Sequence, residues 1–149
     1  MKKVDIGQYI DKERISFLED VTKYDAIQEM SYLSREVVSS VQDFQTALLD
    51  REAVVPTGIG MGFATPHMKC DLIEEFFITI GVVKEGIEWD SMDNIPVQMV
   101  FMIGGPKNKQ RDYLYIISTL SGIIKDEEKR TALLAAEDAD EIIKILSKG

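Results

Sequence analysis

The sequence predicts an α/β sandwich, a single domain in which a mixed β-sheet is covered by helices on both faces. Its 149 residues are 45% apolar, which suits one ordinary globular core. Two runs rich in branched and aromatic side chains, Phe76–Val83 and Val97–Ile103, have the composition of buried central strands. Segments with helical spacing lie before and after these runs, and strands interleaved with helices are typical of a layered α/β fold.

Before the first long strand, the chain is predicted to form one strand and two helices. Ile15–Leu18 has the composition of a short strand. Thr22–Asp25 has the spacing of a helix-capping pair, and Ser40–Asp43 repeats it before a second helix, whose last turn is expected to carry Arg51. The apolar positions expected on these helices are Ala26, Ile27, Met30, Leu33 and Val37, then Phe44, Ala47 and Leu48.

Between the two long strands, the sequence predicts two turns and a short edge strand. Charged, glycine and proline residues indicate turns at Lys84–Gly86 and Asp90–Pro96. Ile87 and Trp89 alternate with polar neighbours between these turns, which is the pattern of a half-exposed strand. Gly104–Pro106 is expected to end the second long strand and to open a polar loop.

The last third of the chain is predicted to be helical. A third helix follows the polar loop, Asp126 is expected to cap a fourth, and Asp138 a last one. Their expected apolar positions are Leu114, Ile117, Leu120, Ser121 and Ile124 on the third helix, Ala132 and Leu133 on the fourth, and Ile142, Ile143 and Leu146 on the last.

The charge and hydropathy of the chain exclude several classes of partner. A net charge of −9 repels a phosphate backbone, and no cluster of basic residues offsets that repulsion, so we expect no nucleic acid partner. No segment approaches the roughly 18 consecutive apolar residues that span a bilayer. Met1–Asp5 runs into charged and polar sequence instead of the apolar core of a signal peptide. We therefore expect no membrane insertion and a cytoplasmic location.

The chain has one cysteine, Cys70, and one histidine, His67. A single cysteine excludes an internal disulfide, and this pair is too small a set for a zinc site. The sequence therefore predicts no metal and no cofactor. Although Cys70 is near His67 in sequence, nothing marks its thiol as activated, and a partly buried thiol is the favoured interpretation.

His67 ends an unusual segment, Pro56–His67, that contains three glycines at alternate positions. Such a segment is poor material for a packed helix or a long strand, because glycine adds flexibility and proline removes a backbone donor. An imidazole held there is able to act as a nucleophile, a base or a ligand. The glycines are Gly58, Gly60 and Gly62.

Together with Arg51–Glu52, the runs Pro56–Gly62 and Ala64–His67 resemble the active-site signature of the fructose/mannitol-type IIA proteins of the bacterial phosphotransferase system. The similarity extends from about Ile15 to Leu146. It implies a phosphocarrier domain over residues 1–149 with a mixed sheet flanked by helices. It further implies that His67 accepts a phosphoryl group from the phosphocarrier protein HPr, and that a IIB domain or a regulated target protein lies downstream.

A histidine accepts a phosphoryl group through a neutral ring nitrogen, and a reference pKa near 6.5 leaves much of the imidazole neutral. A backbone carbonyl that accepts from one ring N–H would leave the other nitrogen as the nucleophile. The resemblance implies that Nδ1 of His67 is anchored and Nε2 phosphorylated, and the residues alone leave this open. Arg51 is expected to stabilise the phosphate, because its planar guanidinium matches phosphate oxygens and the resemblance implies the same role. Further candidate anion contacts are the backbone N–H groups of Gly58, Gly60 and Gly62.

Four other residues are expected to support the site. Glu52 is predicted to orient Arg51 or the loop through a hydrogen bond or ion pair, and Thr57 to hydrogen-bond the loop. Pro66 restricts the residue before it to extended backbone and so fixes the approach to His67. Tyr113 departs from the family pattern, in which many members carry a second histidine before a leucine. Its hydroxyl is a candidate phosphate donor, with a partly buried helix residue as the equal alternative.

The docking surface for HPr is predicted at the rim of the loop. Ile59, Met61 and Met68 are the candidate apolar contacts. Acidic neighbours suit a partner with positive charge beside its own histidine. These acidic residues are Asp71, Glu74 and Glu75.

Several alternatives stay open. A binding module on the same fold would work by protein contact alone, with His67 as a vestige. A hydrolase using His67 as a base is disfavoured, because no serine lies in a nucleophile elbow. Within the family, the chain would serve sugar transport or nitrogen-type regulation. The lack of a fused IIB or membrane domain, and the stretches Gly86–Asp93 and Asp126–Glu128, favour the regulatory branch.

Overall fold

The computed structural model describes residues 3–147. Met1, Lys2, Lys148 and Gly149 lie outside the described residues. Met1 and Lys2 belong to the segment Met1–Asp5, which was expected not to be part of a signal peptide. The strands are β1 (Ile10–Phe17), β2 (Gly58–Gly60), β3 (Phe63–Ala64), β4 (His67–Lys69), β5 (Phe77–Ile87) and β6 (Val97–Gly105). The helices are α1 (Lys23–Leu33), α2 (Val41–Val54), α3 (Gln110–Lys125), α4 (Glu127–Ala135) and α5 (Ala139–Ser147).

The strands form one mixed sheet in the order β1-β5-β6-β3-β2, and β4 also pairs with β6. The long strands β5 and β6 lie at its centre, as predicted from their composition, and are antiparallel to each other. β1 is parallel to β5, β3 and β4 are parallel to β6, and β2 is antiparallel to β3. The predicted mixed sheet is therefore confirmed.

The edge of the sheet beside β6 is interrupted just before His67. Phe63 and Ala64 of β3 pair with Met99 and Val100, and His67 of β4 pairs with Ile103 further along the same strand. Pro66 lies between the two short strands, and its carbonyl accepts a hydrogen bond from the Ile103 N–H at 2.9 Å. Because proline has no N–H to give to a ladder, the edge breaks here and restarts at His67.

Both faces of the sheet are covered, as predicted. One core is formed by sheet residues together with α3, α4 and α5, and contains Ile80, Phe101 and Ile116. The other packs the opposite face against α1 and α2, and contains Phe44 and Phe77. Successive strand residues point to opposite faces, so almost every residue of the central strands is buried in one core or the other.

The predicted helix starts are confirmed. Thr22 and Asp25 form a reciprocal capping box at the start of α1, and Ser40 accepts from the Asp43 N–H at the start of α2. Asp126 likewise accepts from the Lys129 N–H before α4. The Asp138 side chain accepts from the Glu141 N–H before α5. In contrast, α1 ends at Leu33, so the prediction that Val37 belongs to this helix is wrong, although Val37 packs against the same core.

The predictions of a turn at Lys84–Gly86 and of an edge strand at Ile87 and Trp89 are wrong. β5 continues through Lys84–Gly86 to Ile87, and its register with β6 shifts between Val82 and Ile87. Gly86 has φ +84° at this irregularity, so the glycine accommodates a bulge instead of a chain reversal. Trp89 is 1% exposed, because it packs inside the second core and does not line an edge.

The apolar face predicted for α3 is wrong in part. Leu120 and Ile124 are buried as expected, but Leu114 is 41% exposed. The face that packs on the sheet instead contains Tyr113, Ile116, Leu120, Ile123 and Ile124. The five consecutive residues Tyr113–Ile117 are all apolar or aromatic, so spacing alone did not distinguish two faces that are one residue apart.

Candidate active site

His67 lies at the start of β4 with its ring half-buried, and its tautomer is set by its neighbours. Nδ1 lies 2.7 Å from the Thr65 carbonyl oxygen. A carbonyl oxygen only accepts hydrogen bonds, so Nδ1 carries the ring proton and donates it. In the neutral ring, Nε2 therefore presents its lone pair.

Arg51 provides a cation next to that lone pair. Its Nη2 lies 3.2 Å from His67 Nε2. A guanidinium is only a donor, so this contact agrees with a proton on Nδ1 and none on Nε2. Arg51 lies on the last turn of α2, as predicted, and the end of this helix therefore brings an exposed positive charge to the ring.

The environment favours the neutral imidazole. Burial is the main cause that lowers the pKa of His67 below its usual value of 6.5, and the charges of Arg51 and Lys69 lower it further. The hydrogen bond to Thr65 and the charge of Glu52 act in the opposite direction but do not reverse the shift. His67 is therefore neutral at pH 7 and available as a nucleophile.

Glu52 lies beneath the loop, where it holds Thr57. It is 2% exposed, and its carboxylate accepts from the Thr57 N–H at 2.8 Å and from the Thr57 hydroxyl at 2.6 Å. Lys23 Nζ lies 2.9 Å from Glu52 Oε2 in a buried ion pair, and the Trp89 indole N–H donates to Thr57 Oγ1 at 3.3 Å. Glu52 was predicted to orient either Arg51 or the loop. Its hydrogen bonds to Thr57 show that it orients the loop. The contacts of Lys23 and Trp89 with this site could not be predicted from the sequence, because no local pattern marks partners so far apart.

The glycine segment forms a hairpin, β2–β3, whose turn has left-handed backbone. Gly60, Met61 and Gly62 have φ values of +93°, +60° and +89°. The Asp93 carboxylate accepts from the Met61 N–H at 2.8 Å, so an anion of the protein itself already lies against this turn. A side chain at Gly58 would collide with Ser91, which accounts for that glycine by close packing. The role predicted for the glycine N–H groups in binding phosphate stays a prediction.

Tyr113 is next to His67 but is 7% exposed. The centres of the two rings are 5.7 Å apart. Burial raises the pKa of the Tyr113 hydroxyl to about 12, partly opposed by the charge of Arg51. The phenol is therefore neutral at pH 7, and the ring forms one wall of the histidine site.

The predicted docking residues differ in exposure. Ile59 and Met61 are 48% and 47% exposed, so both present apolar surface on the hairpin. Met68 is half-buried and packs against the second core, which leaves less of it for a partner. Met92 is 98% exposed and precedes Asp93, whose carboxylate binds the hairpin turn. Met92 was not predicted from the sequence as a docking residue. The acidic residues Asp71, Glu74 and Glu75 are exposed.

Other features of the site region are simple to describe. The Cys70 thiol is free and half-buried, as favoured from the sequence. In the described part of the chain, no group of three or more histidine, cysteine, aspartate or glutamate side chains is arranged to hold a metal ion. None of the helices within residues 3–147 has the length and apolar character to span a bilayer.

A solved structure relates this architecture to a known class of protein. The nitrogen regulatory protein IIA-Ntr from Neisseria meningitidis matches with a TM-score of 0.89 and 27% sequence identity, over 95% of this chain and 98% of that one. The fold and the histidine site therefore define a IIA-type protein. The sequence model of the phosphoenolpyruvate-dependent sugar phosphotransferase system, EIIA 2, matches residues 8–149. The chain belongs to this family, whose general activity is phosphoryl transfer.

Two relatives show the range within the family. A fructose-specific EIIABC component of Bacillus subtilis is 37% identical over 107 residues, which is 72% of this chain but 17% of that protein. A nitrogen regulatory protein of Bradyrhizobium diazoefficiens is 28% identical over 127 residues, 85% of this chain and 83% of the relative. The chain thus spans a small part of the first relative and most of the second.

Proposed function

We propose that this chain is a phosphohistidine carrier of the phosphotransferase system, in which His67 accepts a phosphoryl group from HPr or a paralogue. The observation that carries the proposal is the fixed tautomer of His67, with Nδ1 bound to the Thr65 carbonyl and Nε2 next to Arg51 at 3.2 Å. Membership of the family supports phosphoryl transfer as the activity. A cytoplasmic location, and one carrier domain over residues 1–149, belong to the same proposal.

In the proposed step, the Nε2 lone pair attacks the phosphorus atom of the donor's phosphohistidine. The new P–Nε2 bond forms as the donor's P–N bond breaks, and the electron pair returns to the donor's imidazole. Nδ1 of His67 keeps its proton throughout, so no general base is required. Arg51 moves from Nε2 onto the phosphoryl oxygens, where its charge stabilises the transition state.

The acceptor of the phosphoryl group separates two roles. Identity to the fructose-specific relative favours transfer to a IIB domain during sugar uptake. The match to the nitrogen regulatory relative covers 85% of this chain and 83% of that protein. This similar extent favours a regulated target protein, whose binding depends on the phosphorylation of His67. Incubating the phosphorylated chain with a fructose-type IIB domain separates the roles, because rapid loss of phosphate to a IIB cysteine would support transport.

The direct test is the mass of the intact chain after incubation with phosphoenolpyruvate, enzyme I and HPr. We expect the wild-type chain to gain one phosphoryl group, and His67→Asn, which keeps a polar side chain of similar size, to gain none. Cys70→Ser is the matched control, since it removes the neighbouring nucleophile and should be labelled like the wild type. Stoichiometric labelling of His67→Asn would contradict the proposal. A wild-type chain that binds HPr without labelling would favour the binding module.

A further inference from the structure

We infer that Lys69 is a second phosphate-binding cation of this site, whose ammonium contacts the phosphoryl group carried by His67. The inference rests on the proposed function. Arg51 supplies one positive charge next to Nε2. Tyr113 also lies next to the imidazole, but it is neutral at pH 7 and provides no charge.

Lys69 and His67 share a face of β4. They are alternate residues of the same strand, paired with Gly105 and Ile103 of β6. Because side chains in a strand alternate between its two faces, those of Lys69 and His67 leave the strand on the same side. Both side chains are half-buried, so neither is directed wholly into solvent.

The Lys69 ammonium lies over the Tyr113 ring, which is itself next to the imidazole. Its Nζ lies 4.7 Å from the centre of the Tyr113 ring, which is itself 5.7 Å from the His67 ring. Nζ also donates a hydrogen bond to the Gln110 side-chain oxygen, on the first turn of α3. The start of α3 therefore holds the ammonium against the ring that lies next to His67.

The charge of Lys69 is not neutralised by an acid. Within residues 3–147, Lys69 forms no ion pair with a carboxylate, and its two partners are an amide oxygen and an aromatic ring. Lys23, by contrast, is paired with the buried Glu52. An unpaired ammonium in a protein of net charge −9 is available to an incoming anion. Lys69 is also one of the charges that lower the pKa of His67, so its field already reaches the ring.

These observations give Lys69 an electrostatic role. The transferred phosphoryl group carries negative charge on its oxygens, and a lysine ammonium binds such a group as a mobile point charge. Lys69 exchanges its neutral partners, Gln110 and the Tyr113 ring, for these oxygens, and it neither gains nor loses a proton. Arg51 and Lys69 then both contact the phosphoryl group.

The test compares Lys69→Met, which keeps most of the apolar stem but removes the charge, with Lys69→Arg, which keeps the charge. Transfer from phosphorylated HPr is measured by rapid quench, and the pKa of the phosphoryl group on His67 by ³¹P NMR. We expect Lys69→Met to slow transfer roughly 10-fold. This loss of rate is smaller than the loss on removal of a fully buried hydrogen-bond donor to the transition state. Lys69→Met should also raise the phosphoryl pKa, because a nearby cation favours the dianion. Lys69→Arg should retain the rate within about 3-fold.

Lys125→Met is the matched control, since it makes the same substitution at the far end of α3 and should leave both quantities unchanged. Wild-type transfer and an unchanged phosphoryl pKa in Lys69→Met would overturn the inference. Equal slowing in Lys69→Met and Lys69→Arg would also overturn it, since it would indicate packing instead of charge. In both cases His67 is still labelled, whereas failure of the proposed function would appear as a wild-type chain that is never labelled.

Discussion

At the scale of single residues, the tautomer of His67 follows from two neighbours with fixed hydrogen-bonding capacity. The Thr65 carbonyl has no proton to donate, and the Arg51 guanidinium has no lone pair to offer. His67 and Arg51 could be predicted as site residues from a solitary histidine, an arginine on the last turn of a predicted helix and the resemblance to the IIA signature. Their roles in phosphoryl transfer stay a prediction. The carbonyl that accepts from His67 Nδ1 could not be predicted from the sequence, because its position depends on the backbone path through Pro66.

The first prediction concerns the protonation of His67. We expect NMR titration of its ring, the only histidine in the sequence, to give a midpoint below 6.5 in the unphosphorylated protein. Arg51→Met should raise that midpoint, because it removes a positive charge that disfavours the imidazolium. A wild-type midpoint at or above 6.5 would contradict the environment described for the ring.

The same shift predicts a change of stability with pH. The unfolded chain binds a proton at His67 near pH 6.5, whereas the folded chain binds it only at lower pH. The free energy of unfolding should therefore decrease as pH falls from about 6.5 to the lower, folded-state pKa. In His67→Asn this contribution is absent, so urea denaturation of the two proteins at several pH values should show a smaller decrease for the variant. Equal decreases would refute the prediction.

At the scale of elements, the loop that carries His67 is held from below by a buried polar network. Lys23 at the start of α1, Glu52 near the end of α2 and Thr57 before β2 connect two helices to the hairpin. The side chains of Lys23 and Glu52 are 6% and 1% exposed, so each charge depends on the other. The network therefore couples the end of α2, which also carries Arg51, to the glycine segment.

The second prediction follows from this dependence. Glu52→Ala should reduce the free energy of unfolding by about 3–5 kcal/mol, because it removes the nearest carboxylate from the buried Lys23 ammonium. The remaining contacts of Lys23 Nζ are longer, to the Trp89 carbonyl at 3.4 Å and to the exposed Asp90 carboxylate at 3.9 Å. Adding Lys23→Met to Glu52→Ala should recover a substantial part of that loss. Chemical denaturation of the wild type, each single variant and the double variant provides the measurement. Additive losses in the double variant would contradict a buried ion pair.

The third prediction concerns Met61, a non-glycine residue with φ +60° at the tip of the hairpin. A side chain in this conformation costs about 1–2 kcal/mol, and asparagine adopts it more readily than methionine. Met61→Asn should leave the free energy of unfolding unchanged or increase it by up to about 1 kcal/mol. If the exposed methionine contacts HPr, the same change should weaken transfer by raising KM more than it changes kcat.

Two results would count against this reading of Met61. A loss of stability in Met61→Asn, measured by thermal denaturation, would remove the argument from backbone strain. Unchanged KM for HPr would remove Met61 from the docking surface. Asn94, also with positive φ but already an asparagine, illustrates the residue type that this backbone ordinarily selects.

The elements show which parts of the fold local sequence determines. The caps at Thr22 and Ser40 were predictable, because a capping pair lies within one helical turn. The continuation of β5 through Gly86 was not, since a glycine with positive φ fits a bulge as well as a turn, and only pairing with β6 selects the bulge. The buried face of α3 likewise depended on the sheet, because the continuous run Tyr113–Ile117 fits two neighbouring apolar faces.

At the scale of the whole molecule, the sandwich brings together residues that are far apart in sequence. The end of α2, the interrupted edge beside β6 and the start of α3 meet around His67, and provide Arg51, Lys69 and Tyr113. The sequence predicted the two covered faces from composition and helical spacing. It did not predict the burial of Trp89 or the pairing of Lys23 with Glu52, which require knowledge of how distant segments pack.

The central claim is that Nε2 of His67 carries the phosphoryl group. The most direct measurement is ¹⁵N NMR of the ring after phosphorylation by HPr, which identifies the nitrogen bonded to phosphorus. We predict phosphorus on Nε2, with Nδ1 still protonated and bound to the Thr65 carbonyl. Phosphorus on Nδ1, or on a residue other than His67, would contradict the account.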